Sequence, residues 1–233
     1  MTDLSHYLPV ANFGFQLSLV TGWLVGVVGL AEWLHRHIPN DSEMARKVVH
    51  IGSGNVILLA WWLQFPAWII LAASGVTGAI ALLSYKVPIL PSVNSIGRHS
   101  LGTFFYAVSI GVLTAWFWTL QLPHYTVLGI LIMAWGDGLA AVIGQHFGRH
   151  RYRIWGIVKS WEGSLAMTLS AYGVCSLVLL AAQGNLWQTW VVAFGVAIAA
   201  TALEAFSKLG IDNLTVPLGS AALCFALNHL LLA

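Results

Sequence analysis

Three polar segments of the sequence carry side chains that could bind and transfer a phosphate group, and each adjoins a long apolar run. The first extends from Ala134 to Arg149. Four of its residues are spaced by four, three and four positions and share one helical face: Asp137, Ala141, Gly144 and Gly148. A carboxylate in an apolar helix costs about 3 kcal/mol, so Asp137 is expected to hold a cation, with the small residues leaving room for a phosphate chain and its Mg²⁺. The alternative is a close contact between helices, with Asp137 paired to a loop arginine.

A basic loop forms the second segment and carries four cations: Arg149, Arg151, Arg153 and Lys159. This density of positive charge suits a polyphosphate, because an arginine fork binds two oxygens at once and a lysine binds as a point charge. Ser160 is then expected to cap the next helix, and a helix N-terminus there would itself favour an anion. The alternative is an ordinary solvated run of charges.

The third segment lies near the C-terminus and combines Glu204 with Lys208 and the pair Asp212-Asn213. Its carboxylate and amide oxygens are hard ligands that suit Mg²⁺, and its carboxylates could also take a proton from an alcohol. The alternative is that Asp212-Asn213 caps the last helix.

Long apolar runs must position these segments in the chain of 233 residues. Residues of the AVILMFWYC class make up 58% of the sequence and charged residues 8%, against roughly 25% charged in soluble proteins. This composition excludes a soluble enzyme, a secreted disulfide scaffold and a reader of nucleic-acid grooves. A spanning helix needs about 20 apolar residues, which gives eight predicted spans: 14–34, 48–64, 67–84, 101–119, 125–147, 163–183, 188–207 and 214–232. We therefore predict an all-α integral membrane protein, a polytopic bundle of about eight transmembrane helices, with seven possible, in a single domain over residues 1–233.

Lysine and arginine fall only in alternate connections between these spans. The first, third, fifth and seventh connections carry all 10 of them, and the others carry none. Connections rich in cations stay on the cytoplasmic side of a membrane, so we expect both termini on the opposite side. Every acidic residue except Asp3 lies toward the same cation-bearing end. The active site is therefore expected at the cytoplasmic membrane face.

Five blocks of sequence, taken together and in order, resemble the polyprenol kinase family, which includes phytol kinases and dolichol kinases. The resemblance is greatest to the phytol kinase branch, and it extends from about residue 46 to 217. The blocks are Arg46-Lys47-Val48-Val49-His50, Leu101-Gly102-Thr103-Phe104-Phe105-Tyr106, Gly136-Asp137-Gly138-Leu139-Ala140 with Gly144 and Gly148-Arg149, Lys159-Ser160-Trp161-Glu162-Gly163-Ser164, and Asp212-Asn213-Leu214-Thr215-Val216-Pro217.

The resemblance implies CTP-dependent phosphorylation of a long isoprenoid alcohol, with phytol as the expected substrate. The product would feed phytyl diphosphate and tocopherol-type prenyl lipid synthesis. The alcohol would come from the bilayer and the nucleoside triphosphate from the cytoplasm, and no nucleic acid would take part. The membrane would be a bacterial inner membrane or one of thylakoid or plastid type.

On this hypothesis, the catalytic residues are Asp137, Lys159, Glu162, Glu204 and Asp212. Mg²⁺ would be held by Asp137, with Asp212 or Glu162 as the second carboxylate. Glu204 or Asp212 would act as the base that orients the hydroxyl of the alcohol. The remaining polar and small residues would bind CTP: Arg46, Lys47, Arg98, Gly144, Gly148, Arg149, Arg151, Arg153 and Asn213.

Two other functions remain open from the sequence. A membrane cytidylyltransferase that makes a CDP-lipid would share the acidic and small-residue segment, but it would release pyrophosphate instead of a nucleoside diphosphate. A secondary transporter would turn over no nucleotide and would need a polar path through the midplane of the membrane.

Overall fold

The structure, a computed structural model, describes residues 12–37, 42–84 and 101–232. Within these ranges the chain forms nine α-helices, one π-helical turn and one β-hairpin. In chain order they are α1 (Phe13–His37), α2 (Ser42–Gly54), α3 (Val56–Trp62), α4 (Ala67–Ser84), α5 (Gly102–Leu113) with the π-helical turn (Thr114–Trp118), α6 (Pro123–Phe147), β1 (Arg151–Ile154), β2 (Ile157–Ser160), α7 (Trp161–Gln183), α8 (Trp187–Ala205) and α9 (Asp212–Leu232).

Six of these helices are long and apolar enough to cross a membrane: α1, α4, α6, α7, α8 and α9. A shorter apolar helix, formed by α5 and its π-helical turn, covers Gly102–Trp118. The prediction of an all-α polytopic membrane protein is therefore confirmed. Internal hydrogen bonding along each helix is what allows the backbone to lie in hydrocarbon.

The predicted span over residues 48–64 is divided between α2 and α3, which meet at Asn55. The Oδ1 atom of Asn55 accepts a hydrogen bond from Nε1 of Trp135 at 3.0 Å, which holds the junction against α6. The helix α2 also begins earlier than predicted, because it includes Arg46 and Lys47. Lys47 is tolerated there because its side chain contacts α6 and is shielded from lipid.

Polar side chains link the ends of neighbouring helices. Nε2 of Gln16, near the start of α1, donates to the carbonyl oxygen of Leu63, just after α3, at 2.8 Å. Nδ2 of Asn228, near the end of α9, donates to the hydroxyl of Tyr125, near the start of α6, at 3.1 Å. These contacts lie at one end of the bundle. We call the other end, with the last turn of α6, the hairpin and the α8–α9 connection, the charged end.

The core of the bundle lies around α6, in which every residue from Tyr125 to Ala134 is buried. This helix packs mainly against α7 and α9, and also against α2. The central position of α6 explains how its carboxylate, Asp137, can be reached by side chains from several elements.

A β-hairpin stands where we expected only a loop between α6 and α7. Its strands pair antiparallel, with Tyr152 opposite Lys159 and Arg153 opposite Val158. Trp155 and Gly156 form the two-residue connection with φ of 47° and 82°, as a type I′ turn requires. The hairpin passes directly into α7, where Oγ of Ser160 accepts a hydrogen bond from the backbone N–H of Gly163 at 3.1 Å. The predicted cap at Ser160 is therefore confirmed.

Candidate active site

The first ion pair of the site joins α2 to α6. Nζ of Lys47 donates to Oδ2 of Asp137 at 2.6 Å, and Nε2 of His50 lies 3.5 Å from the same oxygen. Lys47 and His50 are three residues apart and so share one face of α2. Lys47 is 5% exposed, and an unpaired ammonium or carboxylate in such surroundings would be costly. The partner of Asp137 is therefore a lysine on a helix, and the loop arginine of the packing alternative is not needed.

A second ion pair joins the hairpin to α8. Nζ of Lys159 lies 2.5 Å from Oε1 of Glu204 and also donates to the backbone carbonyl of Glu204. Glu204 is 7% exposed, so this pair is also largely shielded from water. A cation at the C-terminal end of α8 is favoured by the helix dipole. The pair fastens β2 to the end of α8.

Asp212, the first residue of α9, connects the two ion pairs electrostatically. It interacts with the charges of Asp137, Lys47 and Lys159. We call these five residues the charged cluster: Lys47, Asp137, Lys159, Glu204 and Asp212. The cluster draws on α2, α6, β2, α8 and α9. Arg46 lies close enough to interact with both Asp137 and Asp212.

The charged cluster contains more carboxylates than ammonium groups, which suits a divalent cation. Mg²⁺ is usually held by one or two protein carboxylates together with substrate phosphates, and it keeps several waters. Asp137 and Asp212 could supply such a pair of oxygen ligands. In the described part of the chain, no group of three or more His, Cys, Asp or Glu side chains could hold a metal ion. Phosphate oxygens would therefore have to complete the coordination.

Two buried polar atoms beside the cluster have no hydrogen-bond partner among the described residues: Oδ1 of Asn213, and Nε2 of His50, which approaches Asp137 at 3.5 Å without a hydrogen bond. Buried polar atoms are rarely left unpaired, so each marks a place where a ligand or water could bind. We did not predict a role for His50. The available signal was its position one helical turn after Lys47, within a block that carries the family resemblance.

Glu162 lies apart from the charged cluster as far as its contacts show. Its carboxylate accepts a hydrogen bond from the backbone N–H of His150 at 3.1 Å and lies 2.7 Å from Nδ1 of the same histidine. These contacts tie the chain before β1 to the first turn of α7. Of the two second carboxylates predicted for Mg²⁺, Asp212 is the one that interacts with Asp137.

Arg151 and Arg153 lie on the opposite side of the hairpin from Lys159, although we predicted that these cations act together. Arg149, Arg151 and Arg153 are exposed, and none forms an ion pair within the described ranges. Because Arg151 and Arg153 alternate with Tyr152 along β1, they point away from the side on which Tyr152 and Lys159 lie. Arg98, another residue predicted to bind CTP, is outside the described residues. The role of all four arginines in binding CTP stays a prediction.

Gly144 and Gly148 lie where α6 meets the start of α7. A Cβ atom added to Gly148 would come within 2.1 Å of the carbonyl oxygen of Gly144 and 2.8 Å of Cβ of Ser160. A Cβ atom on Gly144 would lie 3.1 Å from Oγ of Ser160. The space beside both glycines is therefore filled by the protein itself, as small residues allow between membrane helices. Their predicted contact with nucleotide stays a prediction.

Comparison with known proteins gives close relatives over nearly the whole chain. A phytol kinase from Synechocystis sp. is 51% identical over 214 residues, which cover 92% of both chains. A chloroplastic phytol kinase of Arabidopsis thaliana is 26% identical over 90% of this chain and 74% of its own. A chloroplastic farnesol kinase of the same plant is 27% identical over 80% of this chain and 66% of its own.

No protein-family model and no solved structure matches the chain. The extent of identity to the Synechocystis protein is nevertheless decisive, because it leaves almost no part of either sequence unmatched. The chain is accordingly a kinase with an alcohol acceptor, and it belongs to the phytol kinase family.

Proposed function

We propose that this protein transfers the γ-phosphoryl group of CTP to the hydroxyl of a bilayer-dissolved isoprenoid alcohol, with phytol as the principal substrate. The observation that carries the proposal is the charged cluster, in which largely buried ion pairs meet a further carboxylate at one end of a membrane bundle. The product, phytyl phosphate, would feed phytyl diphosphate and tocopherol-type prenyl lipid synthesis.

Asp137 and Asp212 are the residues we assign to Mg²⁺. The ion would neutralise charge on the phosphates during transfer. Phosphoryl transfer depends mainly on such electrostatic stabilisation and on positioning of the reactants. Lys47 is held by Asp137 at the same place, so its ammonium is ready to contact a phosphate oxygen. Arg46 interacts with the charges of both Asp137 and Asp212, and its side chain is 47% exposed to solvent.

We assign to Glu204 the role of orienting the hydroxyl of the alcohol. Its Oε1 atom is bound by Lys159, and its other oxygen has no hydrogen bond among the described residues. A carboxylate held by a lysine is fixed in position, which lets it orient a nucleophile. Lys159 would also stabilise negative charge that develops on the transferred group. Asp212, the other residue predicted as the base, would then bind Mg²⁺.

The charged end is proposed to face the cytoplasm, in a bacterial inner membrane or a membrane of thylakoid or plastid type. CTP would arrive from that side, first meeting the exposed Arg149, Arg151 and Arg153. Exposed arginines attract an anion but hold it loosely, because solvent and salt screen their charge. Selection of the nucleotide is thus expected nearer to the charged cluster.

The test is purified protein in detergent with γ-labelled CTP, ATP, GTP or UTP, and with phytol, geranylgeraniol or farnesol as acceptor. We expect label in phytyl phosphate, release of CDP and the highest kcat/KM for CTP with phytol. Release of pyrophosphate would identify a cytidylyltransferase and contradict the proposal. Label transfer with ATP but not CTP would contradict the assigned donor.

A further inference from the structure

An apolar cleft opens at the charged end, between the last turn of α8 and the first turn of α9. Its volume is about 400 Å³. Six side chains form most of its wall: Trp155, Leu203, Phe206, Lys208, Ile211 and Thr215. The hairpin tip covers one side, because the ring of Trp155 lies 5.3 Å from that of Phe206. The carbonyl of Trp155 also accepts a hydrogen bond from Nζ of Lys208.

The wall of this cleft is mostly apolar, and its polar residues lie near the mouth, beside the apolar Trp155, Phe206 and Ile211. Lys208 lies at the mouth, in the connection between α8 and α9. The hydroxyls of Ser207 and Thr215, 3.2 Å apart, come next. Leu203 and Ala202, within α8, lie deeper. An apolar cleft with a few polar groups near its mouth matches a molecule with a polar head at the membrane surface and an apolar chain in the bilayer.

The cleft is also next to the charged cluster along both helices that form it. Leu203 directly precedes Glu204, and Ile211 directly precedes Asp212. The backbone N–H of Ser207, on the cleft wall, donates to the carbonyl oxygen of Glu204 at 3.2 Å, so the mouth of the cleft adjoins the residue that carries this carboxylate.

Resting on the proposed function, we propose that this cleft binds the isoprenoid chain of the lipid alcohol and holds its hydroxyl near Glu204. Binding of the isoprenoid chain in the cleft would hold the hydroxyl at one position. An alcohol is a weak nucleophile, so transfer of the phosphoryl group to it depends on this positioning. Lys208 at the mouth then provides a charge partner for the monophosphate that leaves.

A second groove of similar size provides an internal comparison. It lies between α4 and α5, has a volume of about 440 Å³, and its walls include Gly75, Gly78, Ala79 and Phe104. The residues that line it are uncharged, and none neighbours a member of the charged cluster in the sequence. We assign this groove to ordinary bilayer lipid.

The test uses the same substitution in both places, Ala202→Phe and Ala79→Phe. Both alanines are exposed and line their groove, so a larger side chain fills the groove without entering the core. We expect Ala202→Phe to raise KM for phytol about tenfold or more, with the midpoint of thermal unfolding and KM for CTP unchanged. Ala79→Phe should leave all three at the wild-type values.

A binding readout independent of turnover uses a geranylgeraniol analogue that carries a diazirine on its chain. Crosslinks mapped by mass spectrometry should fall on the cleft wall at Leu203, Phe206 or Ile211, and excess phytol should suppress them. Crosslinks that phytol does not suppress would show that bilayer lipid covers the cleft and would overturn the inference. Equal KM for phytol in the two variants would overturn it too. If the wild-type protein phosphorylates no isoprenoid alcohol, the proposed function is refuted instead. The crosslinks would still show whether the cleft binds an isoprenoid chain.

Discussion

The charged cluster and the exposed arginines of the hairpin use the same kinds of charge in opposite settings. In the cluster, Lys47 and Glu204 are 5% and 7% exposed and each forms an ion pair at 2.6 Å or less. Arg151 and Arg153, a few residues away from Lys159, are exposed and have no ion pair within the described ranges. A buried ion pair adds little net stability to a protein, but removal of one partner is strongly destabilising because the other charge stays buried. An exposed charge adds little stability, and its removal costs little. The charged cluster should therefore determine the rate of phosphoryl transfer. The exposed arginines of the hairpin should affect only the binding of the nucleotide.

The largest effect is expected for Asp137→Asn. The amide cannot hold Mg²⁺ well, so kcat should fall about a thousandfold or more. The substitution also leaves the buried Lys47 without its counter-charge, which should lower the free energy of unfolding by about 3 kcal/mol. Turnover per folded molecule and a denaturation series in one detergent would measure both. Near wild-type turnover would remove Asp137 from the site.

Glu204→Gln comes next. The amide can still accept a hydrogen bond from Lys159, but loss of the charge in this largely buried pair should lower the free energy of unfolding as in Asp137→Asn, so turnover is measured per folded molecule. Loss of the carboxylate that orients the hydroxyl should lower kcat about a hundredfold, with KM for CTP little changed. Glu32→Gln is the matched control, because Glu32 pairs with Arg36 on the exposed end of α1. An equal change in both variants would contradict the role of Glu204.

A smaller effect is expected when Arg151 and Arg153 are both replaced by Gln. KM for CTP should rise about threefold to fivefold at low salt, because exposed charges act through screened attraction. The difference from wild type should shrink as ionic strength rises, and kcat should not change. A large fall in kcat would instead place these arginines in contact with the transferred phosphate.

The smallest effect on turnover is expected for Gly148→Ala. The added methyl group meets the carbonyl of Gly144, so stability should fall by about 1–3 kcal/mol. Gly173→Ala in α7 is the control, because nothing lies within 4 Å of its added methyl group. Turnover per folded molecule should stay at the wild-type value in both variants. A raised KM for CTP in Gly148→Ala, without loss of stability, would favour the predicted contact with nucleotide.

The membrane helices could be predicted from the sequence because hydropathy is a local property. The predicted spans 67–84 and 125–147, for example, correspond closely to α4 and α6. The hairpin could not be predicted in this way, since its strands are only four residues long and one of them carries exposed arginines. Its turn at Trp155-Gly156 was the one local signal.

The individual candidates of the site were also predictable, but their partners were not. Asp137 and Lys47 are separated by 90 residues, so no local pattern connects them. Strand alternation places Lys159 on the opposite side of the hairpin from Arg151 and Arg153, an arrangement that the run of cations in the sequence does not reveal. These pairings can be predicted only when the packing of α2 against α6 and of the hairpin against α8 is known.

The most direct test of the account is the double variant Lys47→Met/Asp137→Leu. Replacing a buried ion pair by apolar side chains of similar size is often neutral or stabilising, so this protein should fold as well as wild type. The measurement is transfer of label from γ-labelled CTP to phytol per folded molecule. We predict a stable protein with transfer reduced about a thousandfold or more. A stable double variant that phosphorylates phytol at the wild-type rate would contradict the claim that the charged cluster is the site of phosphoryl transfer.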